Sequence, residues 1–375
     1  LTRPIHGGNL AWAAALVGCP PSVILDFSAS INPLGPPQSA IAAIQTHLGT
    51  LSTYPDPDYR QLRAALSQLH GLPIEWIFPG NGAAELLTWA ARDLSALSAT
   101  RMLTPAFGDY YRSLQSFGAS VKSIPLDLTL NPHPYNRETA VCPQLPLLSL
   151  SSQKPKAKSQ NTLEAGLLLN NPHNPTGKVW LKEAVLACLQ EFALVVVDEA
   201  FMDFLRPEEQ QSLVGLLQNF PNLVILRSLT KFYSLPGLRL GYAIAHPDRL
   251  HRWQRWRDPW PVNVLAAAAA AAVVQDTAFQ HRTWAWLQPA RSQLFQGLAQ
   301  LPGLIPYPSA ANFLLVRSNQ PSPWLQHQLL QRHRILIRDC LSFPELGDRY
   351  FRVAVRSPSE NQHLLEGLAD ILEVV

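Results

Sequence analysis

Three short apolar runs in this chain each break at once into a cluster of polar residues. Residues 167–169 lead into Asn170-Asn171-Pro172-His173-Asn174-Pro175-Thr176-Gly177, residues 194–197 into Asp198-Glu199-Ala200-Phe201, and residues 223–226 into Arg227-Ser228-Leu229-Thr230-Lys231. Longer stretches of helical periodicity separate them. That alternation predicts parallel strands joined by crossover helices, an α/β architecture. In an open α/β sheet, ligands bind outside the carboxyl ends of the strands. Three such ends would therefore deliver Asn174, Asp198, Ser228 and Lys231 to one crevice.

The chain is long enough for a large domain and a smaller one, at 375 residues. Apolar residues at 47% and charged residues at 15% indicate a folded protein rather than a disordered one. A formal charge of +3 gives no basis for nucleic-acid binding, although a few cations in a cleft would suit an anionic substrate. Cys19, Cys142, Cys188 and Cys340 are widely spaced without a CxxC pair, which speaks for reduced thiols and against a zinc site or disulfide framework. The start, LTRPIHGG, lacks a signal-peptide core, and the longest apolar run, 265–274, is about half of the ~20 residues a membrane span needs. A cytoplasmic location with no membrane partner is expected.

Residues 1–36, rich in Gly, Pro and Asn, read as an extended arm that joins a smaller domain. Residues 37–260 read as the large domain and 261–375 as the small C-terminal one, with strands near 312–316, 335–337 and 351–355. The stretch 142–160 carries Pro, Ser, Lys and Gln and reads as a surface loop.

A fourth element suits an anion. Gly80-Asn81-Gly82-Ala83-Ala84-Glu85 is a glycine turn that opens an apolar helix, whose free N–H groups and positive dipole end favour a phosphate. Alone it says little, just as Asp198 alone would serve equally as a helix N-cap and Phe107 as a core residue. Together and in order, GNGAAE, NNPHNPTG, VDEAF and SLTKFYSLPGLRLGY resemble the fold-type I aminotransferase superfamily of pyridoxal phosphate (PLP) enzymes, over almost the whole chain.

That resemblance implies the aspartate aminotransferase-like fold, with a mostly parallel seven-stranded sheet, a smaller α+β domain and a homodimer with shared active sites. It implies that Lys231 carries PLP as a Schiff base and that Asp198 pairs with the pyridine nitrogen, keeping it protonated. Asn174 would bond the ring hydroxyl. Ser228, Arg239 and the backbone of Gly82 and Ala83 would hold the phosphate, and Phe107 would stack on the ring. Tyr54, in Tyr54-Pro55-Asp56-Pro57, resembles the tyrosine that reaches the neighbouring subunit's phosphate. His173 is left as a turn residue. Phe201 departs from the pattern, since many relatives place a tyrosine hydroxyl there.

The chain ends narrow the reaction. His6-Gly7-Gly8-Asn9, residues 24–36, Ile337-Arg338-Asp339-Cys340 and residues 350–356 resemble the threonine-phosphate decarboxylases of cobalamin synthesis. Ser30 and Leu341-Ser342 depart from that pattern. Decarboxylation of L-threonine O-3-phosphate is the expected reaction, with His6, Asn32, Arg338 and Arg352 binding the substrate. Arg352 matches the family's carboxylate-binding arginine and Arg338 the position that handles the substrate phosphate. The alternatives are a histidinol-phosphate aminotransferase and a non-catalytic ligand-binding module. The intact lysine argues against the module.

Overall fold

The computed structural model describes residues 2–128, 140–142, 145–146 and 164–373; the expectation for 142–160 lies almost wholly outside them. In chain order the strands are β1 (Leu25–Asp26), β2 (Ile77–Gly80), β3 (Thr100–Thr104), β4 (Val121–Pro125), β5 (Val141–Cys142), β6 (Gly166–Asn170) and β7 (Val179–Trp180). They continue with β8 (Leu194–Asp198), β9 (Leu223–Ser228), β10 (Gly241–Ala245), β11 (Leu304–Pro306), β12 (Phe313–Ser318), β13 (Ile335–Leu336) and β14 (Tyr350–Ala354).

Seven of these form one sheet in the order β2-β10-β9-β8-β6-β3-β4, parallel except for β10, which runs antiparallel to both neighbours. Strands β6, β8 and β9 are buried along their whole length, as central strands covered on both faces must be. Their side chains alternate between two cores. Leu168, Val196, Val224 and Leu226 pack with Leu86, Leu87 and Ala90 of the helix Gly82–Ser95. Leu167, Val195, Val197 and Ile225 belong to the larger core on the opposite face. The alternation also decides where the polar strand ends point. Asp198 and Ser228 continue the first face, Glu199 and Arg227 the second.

The C-terminal part holds a three-stranded antiparallel sheet, β11-β12-β14. Strand β1 pairs in parallel with β13, Leu25 opposite Ile335, so the N-terminal arm is built into this part. The arm is not extended throughout. Residues Leu10–Val17 form a helix, capped by Asn9, whose side-chain oxygen accepts from Trp12 N at 2.9 Å. Its Ala13 and Ala14 pack on Leu330 and Leu336, so burial of a small-residue face overrides the glycine-rich surroundings that suggested an extended chain.

The helix Val264–Val273 packs on the helices Gln38–His47 and Arg60–His70. The 24-residue helix Thr277–Gln300 then runs toward the C-terminal part, where Arg291 donates to the carbonyls of Ala310 and Ala311 at 2.7 and 3.0 Å. Among the described residues no helix is long and apolar enough to cross a membrane.

One buried base gives a pH signature. His70 closes the helix Arg60–His70 with Nε2 2.9 Å from the Tyr242 hydroxyl, and burial lowers its pKa to about 3. The unfolded imidazole, near 6.5, binds a proton the folded one refuses, so its contribution to stability is fully present above pH 6.5 and declines as pH falls toward 3. We expect the unfolding free energy of wild type relative to His70→Phe to fall by up to about 1.4 kcal/mol per pH unit across that window. Urea titrations at pH 7, 6 and 5 measure it, and a constant difference would refute the assignment.

Candidate active site

Sheet order places the ends of β9, β8 and β6 side by side. Asn170 ties them, its Nδ2 donating to the Asp198 carbonyl at 2.8 Å while its Oδ1 accepts from Asn174 N at 2.6 Å. The hairpin of β9 and β10 sets Gly241 opposite Ser228, and Gly80 opposite Gly241. This brings Ser228, Arg239 and the start of the helix Gly82–Ser95 together. Gly82 has φ +76°, and a Cβ there would lie 2.8 Å from Arg239 Nη2. A Cβ on Gly241 would lie 2.7 Å from Ala83 N. Glycine is needed at both positions for the arginine and the helix start to approach so closely. Glu85 accepts from Asn81 N at 2.6 Å, and the N–H groups of Gly82 and Ala83 in the first turn have no carbonyl four residues back within the helix. Arginine, a serine hydroxyl and helix N–H groups make a fitting cradle for a phosphate.

Asp198 is buried at the other end of the crevice. Its Oδ2 accepts from the Tyr110 hydroxyl at 2.7 Å and its Oδ1 from Ala200 N at 3.0 Å. Burial raises its pKa, against the pull of the Tyr110 bond, the Lys231 ammonium and the Ala200 N–H. Such a carboxylate gains most from a cationic partner, which a protonated pyridine nitrogen provides. Lys231 is shifted the other way. Burial lowers its pKa, the Arg352 and Arg239 cations lower it further, and Asp198 opposes them. A depressed amine pKa raises the free-base fraction that can attack an aldehyde. The lysine Nζ lies 5.0 Å from the centroid of Phe201, so an apolar ring with no hydroxyl faces it.

Phe107 caps the helix Gly108–Ser116, edge-on to Tyr110 at 5.7 Å. His6 reaches it from the arm, with ring centroids 5.8 Å apart and Nε2 3.7 Å from Asp109 Oδ1. Arg352 donates to Asn174 Oδ1 and lies 4.7 Å from the Phe313 ring. Burial lowers its pKa to about 10. Arg338 exchanges two backbone hydrogen bonds with Arg352, at 3.0 and 2.7 Å, and its guanidinium donates to the Ile5 carbonyl and to Ser342 Oγ. The arm thus occupies a donor of the arginine expected to meet a substrate phosphate.

One expected site residue lies differently from the reading of the sequence. The Asn32 side chain is engaged inside the fold, with Nδ2 donating to the Phe232 carbonyl and Thr283 Oγ1, both at 2.8 Å, and Oδ1 accepting from Leu34 N at 3.0 Å. Its own N–H donates to the Lys231 carbonyl at 3.0 Å, so it fastens the lysine segment instead of offering a free amide. Tyr54 is 77% exposed, and its ring contact is with Trp260, centroids 4.4 Å apart, not with the phosphate cradle of its own chain. His173 is buried in its turn, with Nδ1 2.8 Å from Thr176 Oγ1.

Tyr110 is the site residue that the sequence reading missed. The available signal was its place in the first turn of the helix that follows Phe107. Its bond helps to keep a buried carboxylate ionised, and charge-assisted bonds of this kind are worth about 1.5–3 kcal/mol. We expect Tyr110→Phe to weaken PLP binding roughly tenfold to a hundredfold, measured by cofactor titration of the apo protein. Wild-type affinity in a folded Tyr110→Phe protein would show that the bond is incidental.

A phosphate cradle, a buried carboxylate and a buried lysine of lowered pKa, set at adjoining strand ends, define a PLP-binding α/β enzyme. The comparisons agree. Residues 22–368 match the aminotransferase class I and II family, and the chain belongs to it. It is 39% identical to threonine-phosphate decarboxylase of Salmonella typhimurium over 99% of this chain and 98% of that one. It is 34% identical to histidinol-phosphate aminotransferase 1 of Nitrosococcus oceani over 91% of this chain and 87% of the other. Histidinol-phosphate aminotransferase from Sinorhizobium meliloti, solved in complex with pyridoxal-5'-phosphate, superposes with a TM-score of 0.81 at 22% identity, covering 100% of this chain and 96% of that one. The fold is the PLP-dependent aminotransferase-like fold, and the cofactor is PLP.

Proposed function

We propose that this enzyme decarboxylates L-threonine O-3-phosphate to (R)-1-amino-2-propanol O-2-phosphate in cobalamin biosynthesis. The observation that carries the reading is the pair Arg338 and Arg352, adjacent across two backbone hydrogen bonds, with the Arg352 cation near enough to Lys231 to lower its pKa. Two arginines there suit a substrate bearing both a phosphate and a carboxylate. The 39% identity to a decarboxylase across both whole chains supports it further.

In this reading Arg352 takes the carboxylate and Arg338 the phosphate, after its guanidinium exchanges the Ile5 carbonyl for phosphate oxygens. His6 approaches from the arm beside Phe107. Bound in the crevice, PLP supplies an electron sink for the pair left when a bond at Cα breaks. Asp198 keeps the ring nitrogen charged, and Ser228, Arg239, Gly82 and Ala83 hold the phosphate. Asn174 bonds the ring hydroxyl. Lys231 returns the proton to Cα after carbon dioxide leaves.

The cofactor domain is proposed to run from residue 37 past the expected boundary at 260 to take in the helix Val264–Val273, with the arm and the remaining C-terminal part as the smaller domain. Tyr54, exposed here, is proposed to reach the phosphate of a second copy in a homodimer. The 34% identity to a histidinol-phosphate aminotransferase favours transamination as a second reading.

The test is carbon dioxide release from L-threonine O-3-phosphate with PLP and no 2-oxo acid. Sustained release is expected. Its absence, with amino transfer from histidinol phosphate to 2-oxoglutarate, would replace decarboxylation with the second reading.

A further inference from the structure

Behind the crevice, on the opposite face of the sheet, lies a buried ion group that no step of the chemistry uses. Arg227 Nη2 is 2.8 Å from Glu199 Oε2, and Nη1 is 2.5 Å from Asp203 Oδ1. Ser212 Oγ donates to Glu199 Oε2 at 2.8 Å and accepts from Arg227 Nη2 at 3.0 Å. Leu213 N donates to Glu199 Oε1 at 3.2 Å. Glu199 is 0% and Arg227 2% exposed. Burying such charges is costly, and apolar side chains of similar volume would often fill the space at least as stably. A cavity of about 440 Å³ borders the group, so close packing does not require it.

Its position in the chain suggests what it does. Glu199 follows Asp198, and Arg227 precedes Ser228. Strand alternation turns Asp198 and Ser228 to the cofactor face and their neighbours to the other. The pairing of β8 with β9 ends at Asp198 opposite Leu226, closed by Glu199 N donating to the Leu226 carbonyl at 2.8 Å. Past that point no ladder bond between these two strands sets where Ser228 stands relative to Asp198. The ion pair bridges the two strands there.

We propose that the Glu199–Arg227–Asp203 group is a positioning device. It clamps the ends of β8 and β9 so that the Asp198 carboxylate and the Ser228 hydroxyl stand at the separation of the ring nitrogen and phosphate of one PLP molecule. Glu199, Arg227 and Asp203 are positioning residues, since none touches the reacting atoms. The inference rests on PLP as cofactor and is independent of the decarboxylase reading.

Glu199→Gln tests it, because the amide keeps the shape and an acceptor for Leu213 N but loses the charge. The purified full-length protein is stripped of PLP and titrated with it, following the visible absorbance of the bound cofactor and then the pH midpoint of that absorbance. The PLP dissociation constant should rise roughly tenfold or more, and the midpoint should shift, because the carboxylate no longer sits squarely on the ring nitrogen. Arg227→Lys should behave alike, since one ammonium cannot span both carboxylates. Leu298→Ala, a cavity in the buried core, serves as the control. It should lower the melting temperature without moving the midpoint.

A folded Glu199→Gln protein with PLP affinity within about twofold of wild type and an unmoved midpoint overturns the proposal. So does a midpoint shift that Leu298→Ala reproduces at equal loss of melting temperature. If Glu199→Gln does not fold, Asp203→Asn decides, because that side chain is 22% exposed and its loss leaves the Arg227–Glu199 pair. A smaller shift in the same direction supports the clamp, and no shift overturns it. A protein that releases no carbon dioxide yet shows these shifts loses the decarboxylase reading and keeps this one.

Discussion

Replacing Lys231 by alanine should lower turnover by about four orders of magnitude, the upper range for a positioned proton-transfer group, while leaving a folded protein. The lysine is held from both sides of its backbone. Its carbonyl accepts from Asn32 N at 3.0 Å, and Leu235 N closes the turn onto the Thr230 carbonyl at 2.9 Å. Neither contact involves the ammonium group, so truncating the side chain spares the scaffold. Burial disfavours the charged lysine more than Asp198 favours it, and alanine removes that cost. The variant should therefore match or exceed wild type in melting temperature in the absence of PLP. Borohydride treatment should fix cofactor to wild type but not to the variant, as seen by intact mass. Unchanged turnover with PLP would remove Lys231 from the chemistry.

Asp198→Asn should be nearly as damaging, lowering turnover by about 10²–10³-fold, as loss of one preorganised electrostatic partner does. The amide oxygen can still accept from Ala200 N, and its NH2 can donate to the Tyr110 hydroxyl, which then turns from donor to acceptor, so the local contacts are kept. What is lost is the charge that keeps a pyridine nitrogen protonated. Apo stability should rise slightly, because a buried carboxylate whose pKa is raised by desolvation has been replaced by a neutral isostere. A variant with full turnover and wild-type cofactor absorbance would show that Asp198 is a structural cap.

The central sheet was legible because its strands are buried on both faces and so read as unbroken apolar runs ending in polar clusters. The same property made Asn174, Asp198, Ser228 and Lys231 legible as neighbours, since strand ends in one sheet converge. Residues that act through distant partners were not. Asn32 looked like a substrate donor, but both its amide protons are taken by Phe232 and Thr283, about 200 and 250 residues away. Tyr110 serves Asp198 across 88 residues, and nothing in its local sequence names that partner. The arm looked extended because its glycines were visible and the apolar surface that Ala13 and Ala14 meet was not. Arg227 and Glu199 sat within the recognised motifs, yet their pairing appears only when two strands are laid side by side.

The pairing of Leu25 with Ile335 has a consequence for how the enzyme is made. A ribosome delivers β1 long before β13, and the strand waits without its partner while some 300 residues emerge. The seven-stranded sheet has all its members by Ala245, so that body can gather while synthesis continues. The arm cannot dock, and Arg352 cannot reach Asn174, until the last strands have left the exit tunnel. A product truncated before β13 would thus carry Lys231 and the glycine turn but neither the docked arm nor Arg352. The order of synthesis therefore puts the cofactor-facing sheet in place before the arm and the C-terminal strands can close on it.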